Sequence, residues 1–155
     1  MSRIKEARLN AIFDSYEAGE RSPKNLLKAA KNAQKETAFK IGAESEMNFR
    51  KYASRLAVIK AVRHSSERAD TKGKIDYWVT VDWEKYTSLP IVLPVQIKSN
   101  DDQVRDFKNS DRYHKFQGKI LVLNTNPMFV QSMTNFKDIF FPELTRVLKI
   151  LRPRP

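Results

Sequence analysis

The spacing of hydrophobic residues divides the chain into helical and extended stretches. In the first third, apolar residues recur every three or four positions, as they do on one face of a helix. This spacing predicts helices over residues 4–17, from 23 to about 39, and from about 44 to 56. Ser22 and Pro23 suit the cap and first turn of the second helix. Gly42 is expected to separate the second helix from the third.

The middle of the chain changes to runs of β-branched and aromatic residues, which are typical of strands. These runs predict strands over residues 57–62, 75–81, 91–98 and 119–123. A helix is predicted over 101–115, which Asn109 and Ser110 are able to interrupt. Residues 128–140 are apolar and expected to be helical in part, and Pro142 is expected to begin the last helix. Helices before, between and after the strands indicate an α/β fold, with one sheet of about four strands flanked by helices.

The charge of the chain points to a polyanionic partner. The 155 residues include 29 Lys and Arg against 18 Asp and Glu, a formal net charge of +11. A small basic domain of this kind favours nucleic acid. The alternatives are a basic protein with no such partner and one that meets anionic lipid.

A stripe of lysines lies in the second predicted helix. Lys24, Lys28, Lys31 and Lys35 are spaced so that they share one face, and Glu36 is the only acid between Arg21 and Ala43. Contact with a phosphate backbone and a simply solvated surface both remain open. Further candidate phosphate contacts are Arg63, Arg68, Lys72, Lys74, Lys108, Arg112 and Lys115.

The chain contains no cysteine, no apolar run of membrane-spanning length and no apolar signal core at its N-terminus. We therefore expect a cytoplasmic protein with no membrane contact. A metal ion would have to be held by oxygen ligands or by the two histidines. Since His64 and His114 are fifty residues apart in different elements, oxygen ligands are favoured.

Polar side chains occur at unusual places in the predicted strands. Asp76 lies in a strongly β-type run, and Gln96 and Lys98 lie in the most hydrophobic strand. Gln96 and Lys98 point the same way because side chains alternate along a strand. If these two strands pair, Asp76 joins them. Trp78 shares the face of Asp76, where it either packs under the site or meets a base.

These groups suit the hydrolysis of a phosphodiester. Mg²⁺ prefers hard oxygen ligands, which the Asp76 carboxylate, the Gln96 amide and the Ile97 carbonyl can supply. Glu46, on the edge of the core-facing side of the third predicted helix, can approach directly or through water. Lys98 would orient the attacking water or stabilise developing charge. The alternative is a strand end that emerges into solvent, with Lys98 as an ordinary edge charge.

The same residues resemble the PD-(D/E)XK, or restriction-endonuclease-like, nuclease superfamily. The resemblance rests on Glu46 in its helix, Ile75-Asp76, and Val95-Gln96-Ile97-Lys98, and covers roughly residues 42–124. It implies that Asp76 and Gln96 are metal ligands, that Lys98 is the catalytic lysine and that Glu46, or else Glu44, is the helix acid. Residues 1–41 would be an N-terminal helical extension and 125–155 a C-terminal helical region of a single nuclease domain.

Two positions depart from the pattern of this superfamily. Gln96 replaces the usual second acid, which lowers the negative charge of the site. Pro94 lacks an N–H group, and this predicts a bulge or a gap in the ladder just before the site.

Together the residues and the resemblance predict an endonuclease that depends on Mg²⁺ or Mn²⁺ and acts on double-stranded DNA. A site-specific, homing-type enzyme is the first expectation, and a Holliday-junction resolvase or restriction-type enzyme is the next. The rival classes are a non-catalytic nucleic-acid-binding protein and a ribonuclease on the same core. Cutting both strands calls for two sites, so we expect a homodimer or higher oligomer. Residues 128–151 are expected either to form its interface or to complete the core.

Overall fold

The computed structural model describes residues 2–65 and 75–152 of the chain. The helices are α1 (Arg3–Glu17), α2 (Pro23–Ala53), α3 (Asp101–Lys108), α4 (Asp111–Lys115) and α5 (Met133–Leu151). The strands are β1 (Ile59–His64), β2 (Tyr77–Val81), β3 (Ile91–Lys98) and β4 (Leu121–Asn124). The chain divides into two compact units, one up to Ala43 and one from Glu44 onward.

The first unit consists of α1 and the N-terminal part of α2. Ser2 caps α1, because its hydroxyl oxygen accepts a hydrogen bond from the Lys5 N–H at 3.2 Å. Gly19, with φ of +104°, lies in the turn after α1, where a residue with a side chain would be strained. The Arg21 guanidinium lies 3.6 Å from the ring centroid of Tyr16. As the sequence predicts, α2 begins at Pro23.

The second unit is built on a four-stranded mixed sheet, which confirms the predicted α/β class. The strand order is β1-β2-β3-β4, with β1–β2 and β2–β3 antiparallel and β3–β4 parallel. A parallel step needs a crossover connection, and α3 and α4 lie in the chain between β3 and β4.

Helices pack on both faces of this sheet because both faces are apolar. On one face Val79, Val95 and Leu121 join a core that includes Phe49 from α2 and Phe136 from α5. On the other face Ile75, Ile120 and Val122 pack with Phe107 of α3 and with Tyr113 of α4. β3 is buried over most of its length, as expected for a strand covered on both sides.

The outer edge of β4 is closed by side chains from α5. The Glu143 carboxylate accepts a hydrogen bond from the Val122 N–H at 2.8 Å and one from Arg146 Nε at 2.7 Å. Arg146 in turn donates to the carbonyl oxygens of Gly118 at 2.9 Å and Ile120 at 3.0 Å. The Val122 N–H, on the outer side of β4, and two carbonyls just before the strand are thus hydrogen-bonded, and a buried charge is paired.

Two predicted helix boundaries are wrong. α2 runs through Gly42 without interruption, so that the second and third predicted helices are one helix of 31 residues. A single glycine costs a helix only about 1 kcal/mol relative to alanine, which good neighbouring helix formers offset. α5 begins at Met133 and contains Pro142 instead of starting there. The burial of Phe136 and Phe140 before this proline favours one continuous helix over two.

The predicted irregularity at Pro94 is also wrong. The β2–β3 register passes through Pro94, which lies opposite Trp78, without a shift. The N–H of Ile97 faces the β2 side, so by alternation the nitrogen of Pro94 faces the β4 side. Pairing with β4 starts only at Val95. The missing N–H of Pro94 therefore removes no bond from either ladder.

The apolar stripe of α5 completes the core. Phe136, Phe140, Leu144 and Val147 have no exposed surface, so this stripe is closed to a partner chain. Within the described ranges, no helix has the length and apolar character needed to span a bilayer.

The Glu143 pair predicts acid sensitivity. Burial raises the pKa of Glu143, but the hydrogen bonds from Arg146 and Val122 and the charges of Arg146 and Lys108 outweigh it, and the net pKa is lowered from 4.5. Its contribution is therefore present at neutral pH and is lost as the pH falls below about 4.5 through the folded-state value. We expect Glu143→Gln to lower the free energy of unfolding at pH 7 by about 3 kcal/mol, because Arg146 loses its partner.

Chemical denaturation of wild type and Glu143→Gln between pH 3 and pH 7 measures this difference, which should shrink in acid. Asp102→Asn is the matched control. It also removes the acid of an Arg–carboxylate pair at i,i+3 spacing, but one whose side chains are 69% and 78% exposed. Its effect should stay within about 0.5 kcal/mol. Equal losses in the two variants would contradict the role given to Glu143.

Candidate functional site

The candidate site lies where β3 ends beside the start of β2. Asp76 precedes β2, and its carboxylate Oδ2 accepts a hydrogen bond from the Ile97 N–H at 2.6 Å. The Asp76 N–H donates to the Val95 carbonyl oxygen at 3.1 Å. At this point the acceptor for the β3 backbone N–H is a side chain, and not a backbone carbonyl of the antiparallel neighbour. These hydrogen bonds hold Asp76, which is 9% exposed, at the end of the β2–β3 ladder.

Gln96 lies opposite Asp76 in the sheet. Tyr77 pairs with Val95, so one step further along the two strands brings Asp76 opposite Gln96. Gln96 is only 6% exposed, and its amide oxygen Oε1 is buried without a hydrogen-bond partner. A buried acceptor left unpaired costs about 1–3 kcal/mol, so such an atom calls for a ligand or another reason to be kept.

Ser65 is a second polar residue at this place, and sequence reasoning did not identify it. Its N–H donates to the Asp76 carbonyl oxygen at 3.0 Å, and its hydroxyl is buried without a hydrogen-bond partner. In the part of the chain that the structure describes, Ser65 Oγ and Gln96 Oε1 are the two buried side-chain atoms in this condition. Both belong to strand neighbours of Asp76. A lone serine at the end of a strand carries no pattern that a sequence reading could use.

Lys98 lies on the same face of β3 as Gln96, as the alternation predicts. Its ammonium is 5.1 Å from the ring centroid of Phe107 on α3, an arrangement that favours the cation. The carbonyl of Ile97 points to the same side of β3 as its N–H, toward Asp76. The Asp76 carboxylate, the Gln96 amide and the Lys98 ammonium thus come from neighbouring positions of two paired extended segments.

Glu46 lies on α2, which packs on the face of the sheet opposite to Gln96 and Lys98. It lies near the same end of β3. α2 is tied to this end by polar contacts: the Ser45 and Ser99 hydroxyls are 3.0 Å apart, and the Thr125 hydroxyl donates to the Ser45 carbonyl at 2.7 Å. Asn48 donates to the Thr125 carbonyl at 3.0 Å. These residues give the segment around Glu46 a fixed position beside the ends of β3 and β4.

The pKa of Tyr77 depends on the charges of both Glu46 and Asp76. Burial raises the pKa of Tyr77, and the negative charges of Glu46 and Asp76 raise it further, while Arg50 lowers it. Both carboxylates therefore act on one phenol, which is buried against Phe49 of α2. The structure brings Glu46, Asp76, Gln96 and Lys98 to one end of the sheet.

Within residues 2–65 and 75–152, no group of three His, Cys, Asp or Glu side chains is arranged to hold a metal ion. A site here would use Asp76 together with the amide oxygen of Gln96 and a backbone carbonyl. These are hard oxygen donors, which fit Mg²⁺ with several water ligands retained.

The predicted phosphate contacts fall into three groups. Exposed cations are Lys24, Lys28, Lys31 and Lys35 on α2, Arg63 on β1 and Lys115 on α4, and Arg112 of α4 is half-buried. The ammonium of Lys108 is instead 3.3 Å from the Glu143 carboxylate and is balanced within the fold. Arg68, Lys72 and Lys74 lie outside the described residues.

Comparison of the chain with protein-family models, with curated proteins and with solved structures gives no match. The interpretation of the site therefore rests on its own residues and geometry.

The shared phenol gives a test of where Glu46 lies. We expect Glu46→Gln to lower the pKa of Tyr77, because one of the negative charges that oppose its ionisation is removed. Asp76→Asn should lower it less. Titration of ¹³C-labelled tyrosine followed by NMR measures the shift. Glu44→Gln is the control, and a larger shift from Glu44 than from Glu46 would make Glu44 the helix acid of the site.

The unpaired amide oxygen gives a second test, which needs no activity. Gln96→Met keeps the length of the side chain and removes the buried acceptor. We expect it to raise the free energy of unfolding of the metal-free protein by about 1 kcal/mol. Gln34→Met at an exposed position of α2 is the control and should be neutral within about 0.5 kcal/mol. A clear loss of stability in Gln96→Met would mean that the amide oxygen is satisfied in the folded protein.

Proposed function

We propose that this protein is a Mg²⁺-dependent endonuclease that hydrolyses phosphodiester bonds of DNA on a restriction-endonuclease-like core. The observation that carries the proposal is the buried, unpaired amide oxygen of Gln96, a residue that lies opposite Asp76 in the register of β2 and β3. A structural role would pair this oxygen with a donor of the fold. A ligand site explains why it is kept unpaired.

The order of elements supports the same proposal. A helix that carries an acid, three antiparallel strands, a helical crossover and a parallel fourth strand follow one another from α2 to β4. This is the order that the resemblance to the PD-(D/E)XK superfamily calls for. Asp76 lies just before β2 and Gln96-Ile97-Lys98 ends β3, and these are the residues to which the resemblance assigns the site.

In the proposed site Asp76, Gln96 and the Ile97 carbonyl would hold the ion, and Glu46 would assist directly or through water. Mg²⁺ would withdraw charge from the scissile phosphate and make a bound water more acidic. The Ile97 N–H holds the Asp76 carboxylate in one orientation by the 2.6 Å hydrogen bond. The neutral Gln96 leaves the site with less negative charge than a second acid would, so we expect a weaker affinity for the ion.

Lys98 is the proposed catalytic residue that acts on the water and the phosphate. Its ammonium can orient the attacking water and stabilise the charge that develops on the phosphate oxygens. The ring of Phe107 beside it limits the freedom of the side chain. A positioned cation is worth more here than in water, because the strand that carries it is largely buried.

DNA is the proposed substrate because of the charge of the chain. The net charge of +11 attracts a polyanion. The exposed lysine face of α2 and the exposed Arg63 and Lys115 supply contacts to phosphates. A site-specific enzyme of the homing type, acting as a homodimer, remains our first proposal for the biological form. With the stripe of α5 buried, a second copy would have to bind elsewhere.

We expect the wild-type protein to nick or linearise supercoiled plasmid with Mg²⁺ or Mn²⁺, and EDTA to stop it. Asp76→Asn should abolish cutting while DNA binding persists, because the carboxylate ligand is lost and the basic surface is not. Lys98→Ala should slow cutting by about 10²-fold or more. The measurements are plasmid relaxation on a gel and DNA binding by fluorescence anisotropy.

Lys60→Ala is the matched control for Lys98, since it removes a lysine from an exposed position of β1. Its rate should be unchanged. Cutting that survives Asp76→Asn would remove Asp76 from the site. Binding to DNA without cutting of any DNA or RNA substrate would make the protein a non-catalytic binder, and cutting of RNA alone would make it a ribonuclease.

A further inference from the structure

A second feature of the sheet is an open groove of about 730 Å³ along the outer strand β1. It lies outside the proposed catalytic residues. The side chains that matter to its chemistry are Arg50, Arg63, His64, Trp78, Thr80 and Val92. Its volume falls in the range of sites that hold small molecules or short pieces of polymer.

The register of the strands explains why the groove is open. Trp78 lies opposite Arg63 on β1 and opposite Pro94 on β3, and Thr80 lies opposite Val92. The helices α3 and α4 pack over Ile120 and Val122, on the β4 side of the sheet. Val92, which lines the groove from β3, is 59% exposed, so this cover does not reach over it.

Trp78 stands at the boundary between the covered and the open part. It packs against the cluster of Phe107 and Val122, and it also lines the groove. The indole is therefore held in place on one side and accessible on the other. A fixed aromatic surface of this kind suits stacking with a planar group, because little side-chain freedom is lost on binding.

The charges around Trp78 select the kind of planar group. Among the residues that the structure describes, the groove is lined by two arginines and a histidine and by no carboxylate. An aromatic surface with cations around it binds a base on the ring and phosphates on the guanidinium groups. A base in a duplex is stacked on its neighbours and cannot reach a half-buried indole, whereas an unpaired base can.

We propose that this groove binds unpaired nucleotides of the DNA substrate, with a base stacked on Trp78 and a phosphate against Arg63, which lies opposite it on β1. Trp78 follows Asp76 by two residues of extended chain, a distance of about 7 Å. A DNA strand bound in the groove would therefore run toward the proposed catalytic site. The role in catalysis rests on the proposed function, but the binding itself does not. The substrate would be DNA with a single-stranded or unpaired stretch beside the bond to be cut.

The two tryptophans of the chain make the binding measurable. Trp83 packs against Tyr86 and Phe141 and does not line the groove. Trp83→Phe leaves Trp78 as the fluorescent reporter, and Trp78→Phe leaves Trp83. Each protein is titrated with an eight-nucleotide oligo-dT in EDTA. We expect at least a twofold quench of Trp78 fluorescence and almost no change in that of Trp83.

Affinity gives the second readout. Trp78→Leu should weaken binding of the single strand by about tenfold, the loss of one stacked base, and leave the affinity for a blunt duplex unchanged. Arg63→Gln should weaken single-strand binding and reduce the slope of log affinity against log salt by about 0.7, the value for one phosphate contact. Lys60→Gln on the same strand, outside the groove, should do neither. Arg63 is exposed, so this variant tests the groove even if Trp78→Leu does not fold.

Unchanged Trp78 fluorescence at saturating oligo-dT would overturn the proposal, as would equal losses of single-strand and duplex affinity in Trp78→Leu. Because these titrations contain no metal, they are independent of cleavage. A quench of Trp78 without plasmid cutting would refute the proposed nuclease activity and support nucleotide binding in the groove. Plasmid cutting without a quench would support the activity and refute binding in the groove.

Discussion

The hydrogen bond between the Ile97 N–H and the Asp76 carboxylate determines where the polar site lies. It replaces a backbone partner by a side chain at the end of the β2–β3 ladder, at 2.6 Å. Asp76 thereby stays at this end of the sheet and Gln96 comes to lie opposite it. The contacts of Ser45 and Asn48 with the ends of β3 and β4 then bring α2, and with it Glu46, to the same end.

This site is placed in the least polar part of the protein. β3 is buried on both faces, yet it carries Gln96 and Lys98 within its last three residues. The fold compensates for one of them through the ring of Phe107 and leaves the Gln96 oxygen without a partner. Departures of this kind from local consistency concentrate where a protein binds or reacts, because stability there is given up for function.

The sequence predicted the four strands of the sheet and misplaced two helix breaks. β3 has the bounds that its apolar run indicates, since a short buried strand between turn residues has little freedom. The helix breaks at Gly42 and Pro142 were wrong, because packing of Phe49, Phe136 and Phe140 on the sheet outweighs the cost of one glycine or proline. The candidate site was found because alternation along β3 links Gln96 to Lys98.

Other features had no local pattern to reveal them. The pairing of Lys108 with Glu143 joins residues 35 positions apart, and only the tertiary fold brings them together. The buried hydroxyl of Ser65 depends on where β1 ends, a boundary that was predicted two residues early. Long-range neighbours, and not residue types, were the missing information.

The closed edge of β4 has a consequence for self-association. Exposed strand edges are templates on which a second chain can add a strand, and proteins protect them by covering or distorting them. β4 is covered by Glu143 and Arg146, whereas β1 has a bulge between Ile59 and Ala61 and charged side chains along it. One edge is thus protected by backbone shape and the other by an ionised carboxylate. Acid protonates the Glu143 carboxylate and so removes only the second protection. Edge-to-edge pairing of strands from different molecules at low pH should therefore begin at β4.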